Sequence, residues 1–383
     1  MKESWEYCQL EDAVKKGSSN ISLNKIKGED GEYPVFAAKG FVQNISFYHQ
    51  EENYLAIIKD GAGIGRVSKH PSKSSVVGTM QYLIPKEGFD IDFIKYFLEG
   101  IDFEKHRNGS TIPHIYFKDY KSEKFPKIPL SEQQRIVSIL DKAFAAIDKA
   151  KANSEQNLKN ARELFESYLQ GVLEQKGVGW DDKTLKEISL EFARGKSKHR
   201  PRGDSSLLNG AYPLIQTGDI SNADHWINEF SQTYNEKGLA QSKLWRKGTI
   251  CIAIVGANVA ETAILNFDAC FPDSVIGIVV NPETANNEYV EYLLQTFKVF
   301  LKEKGKGTAR DNINLGTFEN QKFPFPPLEQ QQTIVRQLDA LRAETKKLEA
   351  VFQKKMDDLE ELKKSILQKA FAGELETEKA VQT

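Results

Sequence analysis

FPKIPLSEQQRIV (125–137) and FPFPPLEQQQTIV (323–335) are one phrase written twice. They align without gaps at an offset of 198 residues (323 − 125). The register persists downstream: Leu140-Asp141 meets Leu338-Asp339, Glu163-Leu164 meets Glu361-Leu362, and Leu169-Gln170 meets Leu367-Gln368. Roughly fifty residues in fixed register at so long a period is a fold-level signal. Two copies are too few for a solenoid and make a duplication.

Each phrase closes a loop and opens a helix. Pro126, Pro129, Pro324, Pro326 and Pro327 suit the turn before a helix and not its interior. Ser131-Glu132-Gln133-Gln134 reads as a capping box with Ser131 as N-cap. Glu329 replaces Ser131 in the second copy, where a carboxylate suits the positive end of the helix dipole. Helices are expected over 131–175 and 328–372, each about 65 Å long at the α-helical rise. Gly177 and Gly373 mark their ends.

Apolar residues in the second helix fall mostly three and four apart: Ile334, Leu338, Leu341, Leu348, Phe352, Met356, Leu359, Leu362 and Ile366. The same offset gives the first stripe as Ile136, Leu140, Ala143, Ile147, Ala150, Ser154, Leu158, Ala161, Leu164 and Tyr168. A helix this long with one narrow stripe must pack on a partner, and the nearest partner is the other copy. Burying each stripe residue contributes about 1.5–3 kcal/mol.

The duplication continues upstream. EYPVFAAKG (32–40) resembles AYPLIQTGD (211–219), and AIIKDGAGIGRV (56–67) resembles CIAIVGANVAETAI (251–264). DFIKYFL (92–98) parallels EYVEYLL (288–294), and RNGSTIPHI (107–115) parallels GKGTARDNI (305–313). The chain is therefore globular, helix, globular, helix, with boundaries expected at 1–128, 129–176, 177–326 and 327–375, then a tail at 376–383. NYLAII, TMQYLIP, GTICIAIV and SVIGIVV read as strands, while FDIDFIKYFLEG and NNEYVEYLLQTFKVFLKEK read as amphipathic helices. Each globular unit is expected to be α+β, with a buried, partly barrel-like sheet.

Composition sets outer bounds. Among 383 residues, 40% are hydrophobic and the formal net charge is −2, so cores are affordable and no polyionic tail exists. The N-terminal MKESWEYCQLED lacks the apolar core of a signal peptide, and no apolar run approaches the ~18 residues of a membrane span. Cys8, Cys251 and Cys270 are scattered without metal spacing. A reduced, cytoplasmic protein is expected.

Catalytic motifs are absent from the sequence. Gly195-Lys196-Ser197 ends like a phosphate-binding loop, but Leu190 stands where its first glycine belongs. DGAGIGRV (60–67) has the wrong spacing for a dinucleotide loop and reads as a turn between strands. No HExxH, no GxSxG and no Asn/Asp-Pro-Pro-aromatic motif occurs. This weighs against an ATPase or a self-contained methyltransferase.

Basic loops are the better lead. ARGKSKHRPRGD (193–204) carries Arg194, Lys196, Lys198, Arg200 and Arg202. The first copy offers Lys59, Arg66, Lys69, Lys73 and Arg107, and the second adds Lys306 and Arg310. Ser110, Thr111, Gln216, Thr217 and Asn258 are interleaved with them. Cations neutralise phosphates, while Arg, Asn and Gln also pair with base edges. The near-zero net charge requires this basic surface to be local.

The repeated phrase, the duplication and the long helices together resemble the specificity subunit of type I restriction–modification systems, over essentially the whole chain. FPKIPLSEQQRIVSILD and FPFPPLEQQQTIVRQLD look like that family's junction between recognition domain and helix. GKSKHRPRGD, YPLIQTGDI and GLAQSKLWRKGTICIAIVG look like the interior of a recognition domain. The resemblance implies two tandem target-recognition domains, each reading one half of a bipartite DNA site, and two long helices pairing as an antiparallel coiled coil that sets the gap. It implies two methyltransferase partners carrying S-adenosylmethionine, and restriction subunits using ATP and magnesium. This chain would hold no cofactor or metal and do no chemistry. Two other readings stay open on the residues alone: a scaffold with two ligand-binding domains on a rod, and a nuclease with unrecognised carboxylates. Salt-dependent DNA binding separates the first from a DNA reader.

Overall fold

The computed structural model describes residues 5–174, 177–199, 201, 203–298, 313, 315–319 and 321–375. Two compact units result: Met1–Gln156 with Phe352–Thr383, and Asn157–Val351. The long helices run Leu130–Glu174 and Leu328–Ala372, and each contributes to both units.

The helix starts differ from the capping box expected. The backbone N–H groups of Glu132 and Gln133 donate to the Pro129 carbonyl, and those of Gln330 and Gln331 donate to the Pro327 carbonyl. Proline, not Ser131, therefore holds the N-cap position, and Ser131 lies exposed within the first turn. The neighbouring Gln133 and Gln331 serve another task, described below. At the far end Gly373 adopts φ +76°, and the Glu374 N–H reaches back to the Lys369 carbonyl, a left-handed helix stop. Gly177 does not repeat this geometry, since its φ is not positive, and residues 175 and 176 before it lie outside the described residues.

Within each unit the two helix segments run antiparallel. In the first, Lys363 lies over the Phe144 ring and Lys151 bonds Glu360 at 2.5 Å. In the second, Arg162 bonds Glu349 at 2.6 Å and Arg342 lies over the Phe165 ring. Ile136, Leu140, Ile147 and Leu338 are buried, while Leu158, Ile334, Leu341, Phe352, Leu359 and Ile366 are half-buried. Leu164, Leu348 and Leu362 are corrections: they are exposed by 59, 45 and 47%. The first stripe steps from Ala161 to Phe165 and Leu169, four residues at a time, because an α-helix has 3.6 residues per turn and a strict heptad drifts off its seam. In the second helix, Thr345 and Glu349 take the inward positions that an apolar count assigns to Leu348.

Each unit is built around a strand buried on both faces. Tyr54–Ile58 is inaccessible throughout. Tyr54, Ala56 and Ile58 point into one cluster with Val35, Ile45 and Val76, and Leu55 and Ile57 point into another with Phe93, Phe97, Leu140 and Leu367. Side chains alternate along a strand, so one continuous apolar run feeds two cores. Ile250–Ala253 repeats the arrangement: Ile250 and Ile252 pack with Tyr292 and Leu338, and Cys251 and Ala253 pack with Trp245 and Phe271.

Among the described residues the sheets are open ladders and not barrels. In strand order the first unit has Val14–Ser18, Met80–Pro85, Tyr54–Ile58 and Val67–His70, beside a smaller sheet containing the Tyr33–Ala37 and Gly40–Ile45 hairpin. The second unit has a five-stranded and a four-stranded sheet. Ile91–Glu99 and Asn287–Thr296 are the expected amphipathic helices.

The repeated phrase acts as a latch. Phe125 and Phe323 are fully buried in strands paired with Glu6–Gln9 and Asp181–Lys183. Gln133 and Gln331 are likewise fully buried and bind the loops around them. Tyr96 donates to Asp141 at 2.5 Å and Tyr292 to Asp339 at 2.7 Å. Burial first, then the neighbouring carboxylate, raises both phenols, so each stays a donor. Each globular unit is thus bolted to the start of the helix that follows it.

Candidate nucleic-acid interface

In the first unit the turn after Tyr54–Ile58 and the segment 107–115 form one polar surface. The Gly61 N–H donates to Pro113, the Ile115 N–H donates to Lys59, and His114 Nδ1 lies 2.7 Å from an Asp60 carboxylate oxygen. DGAGIGRV is therefore the strand-connecting turn expected. Gly61 and Gly65 take φ +98° and +82° there. Lys59, Arg66, Arg107, Ser110 and Thr111 come together around it, with Ser110 and Thr111 exposed.

Lys69 and Lys73 do not join them. The pairings Tyr54↔His70 and Ile57↔Val67 put these lysines at the opposite end of the strand pair from the turn. Lys69 is engaged with Asp92 at 2.7 Å. Arg107 is engaged with Glu104 at 3.1 Å, and Lys59 lies 3.7 Å from Asp60. Arg66 differs: its Nη2 donates to the Ala38 carbonyl at 2.5 Å, in the hairpin between Tyr33–Ala37 and Gly40–Ile45.

In the second unit the segment Phe271-Pro272-Asp273-Ser274 gathers the polar loops. The Lys196 N–H donates to Phe271, the Ile254 N–H to Ser274, and the Ile215 N–H to Cys270. Arg194 chelates the Asp273 carbonyl with Nε at 2.8 Å and Nη2 at 2.5 Å. Gln241 accepts the N–H groups of Lys198 and His199, and so fixes the basic loop. His199 bonds Asp204, whose carboxyl is held below the usual range by the Ser206 N–H first and by His199 after it. Gln216 opens the short Thr217–Asn222 helix and donates to Gln232 at 3.3 Å. Asn258 sits in the turn equivalent to Gly61–Gly65, because Ala260 N–H to Ala253 repeats Gly65 N–H to Ile58. Arg194, Lys196, Lys198, Gln216, Thr217 and Asn258 thus flank one segment. Arg200, Arg202, Lys306 and Arg310 lie outside the described residues.

Charge counting misses the exposed apolar side chains beside these loops. Phe41 is 61% exposed next to the hairpin tip that holds Arg66, and Ile112 is 57% exposed in the 107–115 segment. Tyr116 is stacked on His114, and the Lys118 Nζ lies 5.5 Å from the centre of the Tyr116 ring. Their sequence signal is an apolar residue interrupting a Gly-rich polar turn, as in AKGFVQ (38–43).

No described helix is long and apolar enough to cross a membrane. The family model described as type I restriction modification DNA specificity domain matches twice, over residues 2–160 and 177–355. The EcoDI specificity subunit of Escherichia coli is 24% identical over 97% of this chain and 88% of its own length. The MjaVIII specificity subunit of Methanocaldococcus jannaschii is 24% identical over 97% of this chain and 93% of its own. The match to the E. coli EcoBI specificity subunit, 25% identical, spans 69% of this chain and 61% of that protein. In fold, a chain from a study of complex assembly and conformational transition in a type I R-M system superposes with a TM-score of 0.79 at 17% identity, covering 98% of this chain and 99% of that one. The HsdS subunit of Thermoanaerobacter tengcongensis gives 0.58 at 17% identity, covering 98% of each. With both halves of the duplication matched and the fold shared, the chain belongs to the type I restriction modification DNA specificity domain family, as a specificity subunit.

Proposed function

We propose that this chain reads a bipartite, asymmetric DNA site, with residues 1–128 recognising one half and 177–326 the other. One observation carries this: the two units share a latch residue for residue, yet they present unlike polar loops on it. Gln133 and Gln331 are duplicates that bond backbone groups at equivalent positions, whereas Arg66 faces Ala38 in one unit and Glu261 stands at its place in the other, paired with Lys298. A common mount with different reading surfaces fits two different half-sites.

The helices over 129–176 and 327–375 act as the spacer and as the dock for two methyltransferase subunits, through which restriction subunits join. The duplication supports two copies of one partner, since it supplies each docking position twice. The chain itself is non-catalytic. S-adenosylmethionine belongs to the methyltransferase, ATP and magnesium to the restriction subunit, and the assembly works in the cytoplasm of a prokaryote.

The test is to co-express the chain with a type I methyltransferase subunit and map methylated adenines by single-molecule sequencing. One gapped motif with unlike halves, methylated in both, is the expected result. A complex that forms without any gapped motif contradicts the two-reader model. Inserting seven residues in phase in each long helix should widen the gap and leave both halves unchanged; unchanged spacing would remove the helices as the ruler.

A further inference from the structure

The described cations differ in what holds them. Lys59 and Arg107 at the first unit's polar surface, and Lys69 away from it, each face a carboxylate, which offsets their charge. Arg66 and Arg194 are instead fixed by main-chain carbonyls, of Ala38 and Asp273. A carbonyl orients a guanidinium without neutralising it, so the side chain is held in place and keeps its full charge for an incoming acceptor.

The geometry of that anchoring selects the acceptor. Arg194 spends its Nε–H and one Nη2–H on the carbonyl, and Arg66 spends one Nη2–H. In both, Nη1 keeps its two hydrogens and Nη2 keeps one. Both side chains are exposed. A Cβ built on Gly63 would lie 3.5 Å from the Arg66 Nη2, an ordinary van der Waals contact, so the turn runs directly beside the guanidinium.

We propose that Arg66 and Arg194 are the guanine readers of their respective units, each presenting its Nη1–Nη2 fork to O6 and N7 of one guanine in the major groove. This rests on the DNA-reading function above and names which side chains carry base identity. The two arginines are not duplicates of each other. Glu261 stands where the first unit has Arg66, and Arg194, opposite Ile276, stands where the first unit has Ser18, opposite Gln81. The two guanines therefore fall at different steps of their half-sites, and duplicated scaffolds read unlike sequences.

The experiment uses the methyltransferase complex of the full chain, with Arg66→Lys, Arg66→Ala, Arg194→Lys and Arg194→Ala. Lysine keeps the charge but loses the fork. For Arg66→Lys the expected motif has one G·C position relaxed in one half, with the other half intact; Arg194→Lys relaxes one position in the other half. Wild-type discrimination at each position, measured with base-substituted duplexes, should be roughly ten- to a hundredfold and should vanish in the matching variant. An unchanged motif with uniformly weaker binding, and a salt slope reduced by about one in the alanine variant, would make these residues phosphate clamps and overturn the assignment. An unchanged motif with unchanged binding would overturn it as well. If the wild-type complex marks no gapped motif, the DNA-reading function fails instead, and the assignment with it. Melting temperatures of the four variants, expected to match wild type, separate lost recognition from lost fold.

Discussion

The Oε1 of Gln133 accepts the backbone N–H of Asp90 at 2.8 Å, and Gln331 accepts the N–H of Asn286 at the same distance. Asp90 and Asn286 are the N-caps of the helices Ile91–Glu99 and Asn287–Thr296. Each glutamine also donates to the loop before its own helix, at the Ile128 or Pro326 carbonyl, 2.8 Å away. One buried amide therefore fixes two helix starts at once. Gln133→Met or Gln331→Met leaves an N–H and carbonyls buried without partners. Each should lower stability by about 1–3 kcal/mol in denaturant unfolding. Little effect from either would show that water replaces the amide.

The turn at 60–65 permits a clean comparison. Gly61 and Gly65 both have positive φ, but a Cβ on Gly61 meets nothing within 4 Å, while one on Gly65 would fall 2.6 Å from the Phe103 ring. Gly61→Ala should cost about 1 kcal/mol for backbone strain alone. Gly65→Ala should cost clearly more, because Phe103 is buried and cannot retreat. Equal losses in thermal unfolding would mean that Phe103 shifts freely.

His70 is buried between Tyr54 and Phe36, and burial pushes its pKa down to about 4. An unfolded histidine titrates near 6.5. The folded state thus binds fewer protons between these values, and stability falls as pH drops from about 6.5 to about 4. The full loss is about 3 kcal/mol. His49 is depressed by burial too and acts in the same direction. His70→Phe should flatten this acid slope when unfolding is followed across that range. A slope unchanged from wild type would assign it to other groups.

Leu164 and Leu362 are duplicates, and both are exposed. Their replacement by aspartate should leave thermal stability within about 0.5 kcal/mol, as for surface sites generally. If each helix docks a methyltransferase subunit at this position, each variant should weaken capture of that subunit, and the pair should weaken it further. Full capture by the double variant would move the dock elsewhere.

Periodic features were legible in the sequence. Both long helices, the duplication and the double-faced strand Tyr54–Ile58 follow from runs and spacings that local chemistry enforces. Several inward positions were not, because Phe165 and Arg342 turn inward to meet Tyr292, which a heptad count does not see. The candidate site was legible only as a set of basic loops. Whether a cation is already engaged depends on partners far away in sequence, as with Lys69 and Asp92, or on a backbone carbonyl, as with Arg66 and Ala38. Composition carries no trace of either.

The first unit takes its closing residues from the end of the chain. Leu367 and Ala370 are buried in the cluster that holds Phe93 and Phe97, and Phe371 packs on both of those rings. The second unit is complete by Val351. A ribosome therefore releases the materials for the second reader before those for the first, inverting the usual order in which domains mature during synthesis. A chain cut short near residue 350 would lose the wall of its N-terminal core, and the half of the molecule made first would be the half left unfinished.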